Sequence, residues 1–218
     1  TVPQDELQNL IGTDEFYVAD QLGTYYVIFN VNSPLFEGKT VEEAANMRKA
    51  LSMLVDRDYI VEAVGQTGQV PANSFIPAGM ADGHGGTFKE DDADYTFPVE
   101  SGYFAIARDV DGAIALLEEA GFVFENGMLS ADTPISFEYA TNNGDAHEAI
   151  AQIMQQDFGE IGIEMTIATS EWAVFLNDRK GGNYDVARNG WIADFNDPIN
   201  MLEMWTTTSG NNDAQFGR

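Results

Sequence analysis

The sequence predicts an α/β fold, a mainly parallel sheet flanked by helices, on three observations. The run "YYVIFNV" at 25–31 is continuously apolar, β-branched and aromatic, the composition of a strand covered on both faces of a parallel sheet. From residue 109 onward, segments with helical spacing and strand-like runs alternate in order, the pattern of strands joined by right-handed crossovers. A chain of 218 residues that is 44% hydrophobic and 11% aromatic can bury a sizeable core.

Taken in order, the first strand is followed by a helix over 40–56. Thr40 is its N-cap with Glu43 three positions on, and Ala44, Met47, Leu51 and Leu54 recur at helical spacing. After a break near Asp56, "RDYIVEAV" continues helically to Gly65. Residues 66–104 carry Pro71, Pro77, Pro98 and many glycines without a sustained period, so they form a long irregular excursion, a class of loop that is often functional. A helix over 109–122 stops at Gly121. Then come strand 134–140, helix 145–159, strand 162–168, helix 171–180, strand 184–189 and a last helix from Pro198 to Trp205. No internal repeat or low-complexity segment interrupts the series.

Acidic residues outnumber basic ones 36 to 10, and a formal charge of −26 repels polyanions, which argues against nucleic acid and anionic membrane surfaces. The densest acidic run is "EDDAD" at 90–94. With no cysteine there are no disulfides, thiolate nucleophiles or Cys-type zinc sites. No stretch has the length and apolarity of a membrane helix, and nothing at the N-terminus reads as a signal peptide. The chain opens at Thr1 and stops at "AQFGR", as expected of a processed protein or an excised piece.

The chemistry narrows by what is missing. Only His84 and His147 can pass a proton near neutrality, and no G-x-S-x-G elbow accompanies them. His84 lies in "DGHGG"; His147 lies in the first turn of a helix, where solvent exposure explains it as readily as a ligand contact. Paired carboxylates for a hydrolase carry little signal among 36 acids. No calcium loop, dinucleotide fingerprint or phosphate loop has its spacing, so no metal or cofactor is expected.

What remains is "YDVARNGWIADFNDP" at 184–198, where a strand runs out at the carboxyl margin of the sheet, the place where such sheets bind ligands. Asp194 offers a carboxylate for a ligand ammonium, Trp191 a broad wall, and Gly190 to Ile192 a backbone open to an added strand, with Arg188 and Arg179 nearby. The competing account has Asp194 or Asn196 capping the last helix and Arg188 pairing with Asp185 or Asp197. The residues alone leave both open.

That run, with "EWAVFLNDRKGGN" before it and "SGNN" after it, resembles the bacterial extracellular solute-binding proteins of family 5, the dipeptide- and oligopeptide-binding components of ABC importers. The resemblance extends through "TYYVIFNVNSPLF", "RKALSMLVDRDYIV", "GQVPANSFIPAGM" and "ALLEEAGF" in the family's order, and so covers essentially the whole chain. It implies a periplasmic-binding-protein-like lobe: residues 1–218 correspond to the large second lobe alone of a two-lobed protein that closes on an extended ligand. It also implies that Asp194 takes the peptide's α-amino group and that Gly190, Trp191 and Ile192 give backbone or wall contacts. Arg179 and Arg188 would meet ligand carboxylates or balance charge, His147 would sit near them at a helix start, and Tyr26 would line the site from the first strand.

The partners so implied are a di- or oligopeptide, a membrane permease and the first lobe, and the location is extracytoplasmic, in a periplasm or on a cell surface as a lipoprotein. Relatives that bind nickel complexes, haem or oligosaccharides supply the alternative, a non-peptide solute. The aspartate in "WIADFNDP" favours peptide, and the scarcity of histidine argues against a direct metal ligand set.

Overall fold

The computed structural model describes residues 2–91 and 105–218. The end of the expected excursion and part of the acidic run at 90–94 lie outside the described residues. A short helix α1 (Leu7–Leu10) precedes strand β1 (Gly23–Phe29). Helix α2 (Val41–Leu54) begins at the predicted capping box: Thr40 Oγ1 accepts from the Glu43 N–H, and the Glu43 carboxylate accepts from the Thr40 N–H. Asp56 then breaks the helix and caps α3 (Arg57–Ile60), which widens into a π-helical turn at Val61–Gly65 and ends at Gln66, a non-glycine residue at φ 60°.

Helix α4 (Val110–Glu119) starts under the Asp109 side chain and stops before Gly121, whose φ of 90° suits glycine best. A small hairpin follows, β2 (Phe124–Glu125) and β3 (Met128–Leu129), turned by Asn126-Gly127 with both residues at positive φ. Then come β4 (Ser136–Asn142), α5 (Asp145–Gly159), β5 (Glu164–Ser170), α6 (Trp172–Gly181) and β6 (Val186–Ile192). Helix α7 (Ile199–Leu202) runs on into a 3-10 turn at Glu203–Trp205.

The main sheet has the order β1-β6-β4-β5, with β4 parallel to both β5 and β6. Here the first strand corrects the sequence reading, because β1 is an edge strand and runs antiparallel to β6. Its continuous apolarity has another cause. Ile28 packs with Phe175, Tyr184 and Ala187 on one face of the sheet, while Val27 and Phe29 pack on the opposite core formed with α2, α4 and α5. Coverage of both faces is visible in composition; strand direction is not.

The larger core holds Met47, Leu51, Leu54, Leu117, Phe137 and Met154, each with 4% or less of its surface exposed. Each such side chain contributes about 1.5–3 kcal/mol of burial. The strands after α4 begin about two residues later than apolar content implies. Ile135, Ile163 and Tyr184 are buried before the ladder starts, and pairing continues through polar residues, Thr141 with Thr169 and Asn142 with Ser170. Backbone hydrogen bonds, not side-chain polarity, end these strands.

The described part of the excursion is tied down. Arg57 donates to the Ala72 carbonyl through Nη1 and to the Ala105 carbonyl through Nη2, both at 2.7 Å. Between them Ile76 and Met80 are buried against Met201, with Trp191, Phe88 and Leu22 packed around. The excursion thus forms a support beneath the end of β6. Among the described residues no helix is long and apolar enough to cross a membrane.

Candidate ligand-binding site

The end of β6 is where the sheet opens. Strand β4 pairs with β6 only at Val186 and Ala187, so beyond Arg188 that side of β6 has lost its neighbour. The bonds bracketing the β1–β6 ladder, Ala193 N–H to the Leu22 carbonyl and Asn30 N–H to the Asp185 carbonyl, set the backbone of odd-numbered β6 residues toward β1. The Arg188 carbonyl and the N–H and C=O groups of Gly190 and Ile192 therefore face the vacated side. Arg179 Nη1 donates to the Arg188 carbonyl at 3.2 Å, and the Gly190 N–H donates to Asn189 Oδ1 at 2.8 Å. Among the described residues, the Gly190 carbonyl and both Ile192 groups have no strand partner there.

Gly190 is required by its cross-strand neighbour, since a Cβ would run into the Tyr25 ring. The Arg188 guanidinium carbon lies 5.0 Å from the Tyr25 ring centre and 5.7 Å from that of Trp172. Its Nε is buried without a hydrogen-bond partner, and among the described residues Arg188 joins no ion pair. His147, in the first turn of α5, meets Tyr25 edge-on at 6.3 Å. Burial, and then the Arg188 charge, hold the His147 imidazole below its usual 6.5.

Arg179 has a different standing. It is 8% exposed and its Nε donates to Asp213 Oδ2 at 2.8 Å. Burial pushes the Asp213 carboxyl up from 3.8, with the Arg179 charge acting against that rise. Arg179 is thus paired with a carboxylate of its own chain. Both side chains border a concavity of about 580 Å³, open to solvent, whose apolar walls are Trp172, Leu176, Trp191 and Met204.

Asp194 lies two residues past β6, exposed, and joins no ion pair among the described residues. Its N–H donates to Asn200 Oδ1 at 2.8 Å, and Asn200 Nδ2 donates to its Oδ2 at 3.4 Å. Neither Asp194 nor Asn196 caps α7. Asp197 Oδ1 accepts from the Ile199 N–H, and Asn196 Oδ1 accepts from the Ala81 N–H of the supporting excursion. Asp185 is occupied by the Ser33 hydroxyl and the Glu138 N–H.

The structure brings Arg179, Gly190 and Trp191 together around the concavity, Arg188 and His147 around Tyr25, and Trp191 and Asp194 around Asn200. Ile192 is 49% exposed at the strand end. Tyr26 packs against Phe75 at 4.9 Å and Trp205 at 5.5 Å, donates its hydroxyl at 3.1 Å to Sδ of Met204, one wall of the concavity, and burial raises its pKa. Tyr25, its neighbour on the other face, meets Arg188 and His147 instead. Tyr25, Trp172 and Asn200 are the residues that sequence pattern did not mark. The available signal for Trp172 was an indole at the first position of a helix, directly after a strand end.

Residues 1–213 match the family described as bacterial extracellular solute-binding proteins, family 5, middle. The chain is 32% identical over 213 residues to the dipeptide-binding protein DppE of Bacillus subtilis, covering 97% of this chain and 35% of that protein. It is also 32% identical over 204 residues to the periplasmic oligopeptide-binding protein OppA of Escherichia coli, covering 93% and 33% respectively. Among solved structures, the Escherichia coli murein tripeptide binding protein MppA superposes with a TM-score of 0.77 at 27% identity, over 98% of this chain and 38% of that one. Haemophilus influenzae OppA in complex with RPPGFSPFR gives 0.72 at 28% identity, over 99% and 39%. The chain spans about a third of the length of the curated relatives it matches. It belongs to the bacterial extracellular solute-binding proteins of family 5.

Proposed function

We propose that residues 1–218 form the large second lobe of an extracytoplasmic receptor of an ABC importer, and that this lobe captures di- or oligopeptides for a membrane permease. An extended peptide lies along the vacated side of β6, its backbone bonding to the Gly190 carbonyl and to Ile192 as an added strand. Trp191 walls the ligand, and Asp194 holds its ammonium by a charge-assisted hydrogen bond. Arg188, between Tyr25 and Trp172 and beside His147, takes a ligand carboxylate, while Arg179 fixes the Arg188 backbone and neutralises Asp213. The first lobe closes over the ligand by a hinge, and no bond in it is made or broken.

The observation that carries this reading is the Asp194 carboxylate, exposed at the end of an open strand side and joined to no ion pair among the described residues, while the Ile199 N–H at the start of α7 donates to Asp197 and not to it. The names of the relatives support it, since those above bind dipeptides, oligopeptides or a murein tripeptide. The test uses the two-lobed parent and calorimetry with alanine peptides and their N-acetyl forms. D194N is expected to weaken free-amine peptides by tenfold or more, about 1.4 kcal/mol, and acetylated ones little. Equal losses for both would remove the amine clamp. Native mass spectrometry of the parent identifies the co-purifying ligand, and an oligosaccharide there would redirect the assignment.

A further inference from the structure

Asn200 is a polar side chain in the protein interior, with 5% of its surface exposed. Its Oδ1 accepts two N–H groups at once, the Trp191 indole at 3.1 Å and the Asp194 backbone at 2.8 Å. Its Nδ2 donates to the Asp194 carboxylate at 3.4 Å. Turning the amide over would set its NH2 against two N–H donors, so these partners fix its orientation. Helix α7 is pinned in turn: the Asp197 carbonyl accepts from the Asn200 N–H, and Met201 is buried with Ile76 and Met80.

We infer that Asn200 is a positioning residue that holds the Asp194 carboxylate and the Trp191 indole in one fixed relation, so that the amine clamp and the aromatic wall act as a unit. The inference rests on the peptide-receptor reading above. An exposed aspartate otherwise samples several rotamers, and a ligand must bear the cost of ordering it. Asn200 holds one carboxylate oxygen and leaves the other for the ligand. It does so without charge, which matters, because a lysine or arginine there would neutralise the carboxylate and compete with the incoming ammonium.

Two variants test it. In this chain, the three indole N–H signals report the local structure: N200A is expected to remove exchange protection from Trp191 while leaving Trp205, bonded to the Met201 carbonyl, unchanged. In the two-lobed parent, N200A is expected to reduce the preference for free-amine over N-acetyl alanine peptides about tenfold. N200D keeps an acceptor for both N–H groups, so Trp191 stays protected. Its added carboxylate raises the pKa of one member of the pair, and the free-amine preference is then lost at a higher pH on acidification than in the wild type. An N200A variant that weakens both ligand forms equally, or an N200D variant with a wild-type pH profile, would overturn the inference. If D194N leaves the preference intact, the amine-clamp role of Asp194 fails first and this inference with it; if D194N abolishes the preference and N200A does not, only the positioning role is lost.

Discussion

His147 shares the Tyr25 ring with Arg188, and two effects push it the same way: burial disfavours the imidazolium, and so does the neighbouring guanidinium. Its folded-state pKa therefore lies below the usual 6.5. The fold favours the neutral ring, so this contribution to stability is complete above the unfolded value and drains away as pH falls through 6.5 toward the folded pKa. In an NMR titration His147 is expected to titrate below 6.5, and R188Q to move it part of the way back, since burial remains when the charge goes. A titration unmoved by R188Q would mean the two groups do not sense each other. At this scale the sequence disclosed what local chemistry can disclose. Asp194 and Trp191 stood out because a carboxylate and an indole follow a strand end. Tyr25 and Asn200 did not, because their part depends on strand register and on a contact between α7 and β6, neither of which is a property of neighbouring residues. Tyr25 and Tyr26 are equivalent in composition, and only the strand register tells which ring lies over Gly190 and which reaches Met204.

The elements divide along similar lines. Helices α2 and α5 fall where their periodicity places them, and the start of α2 was legible because a capping box is a local code. The direction of β1 was not legible, since a covered edge strand and a central parallel strand have the same composition. The excursion after α3 also looked featureless, yet one side chain organises it. Arg57 reaches carbonyls at both ends, Ala72 and Ala105, and between them Lys89 Nζ donates to Asn73 Oδ1 at 2.9 Å. Two hydrogen bonds from a charged donor contribute about 1.5–3 kcal/mol each, enough to set the local opening equilibrium of a loop. R57A is therefore expected to speed trypsin cleavage after Lys89 tenfold or more. R57K should behave almost the same, because a lysine cannot span two carbonyls. Unchanged cleavage would assign the order of this segment to Ile76 and Met80 alone.

Over the whole molecule the governing quantity is charge. Thirty-six acidic residues face ten basic ones, and the ion pairs formed among the described residues join only Arg108 and Arg179 to Asp157, Glu160 and Asp213. The surface therefore carries many carboxylates that repel one another across the folded protein and relax when the chain expands. Salt acts on this repulsion more than on the buried pairs. The Debye length is about 10 Å at 0.1 M and about 3 Å at 1 M, so the long-range part of the repulsion is screened early in that range. The urea midpoint and Tm are expected to rise with sodium chloride and then flatten, with potassium chloride giving the same curve. Preferential exclusion of salt from apolar surface would instead give a rise that continues without flattening and grows when sulfate replaces chloride. A midpoint indifferent to salt would show that an expanded denatured chain keeps as much self-repulsion as the fold, and that the acidic surface serves solubility alone. The same field, if it acts on the folded state, speeds the approach of cationic solutes at low ionic strength, so the salt dependence of association rates and of stability should move in opposite directions.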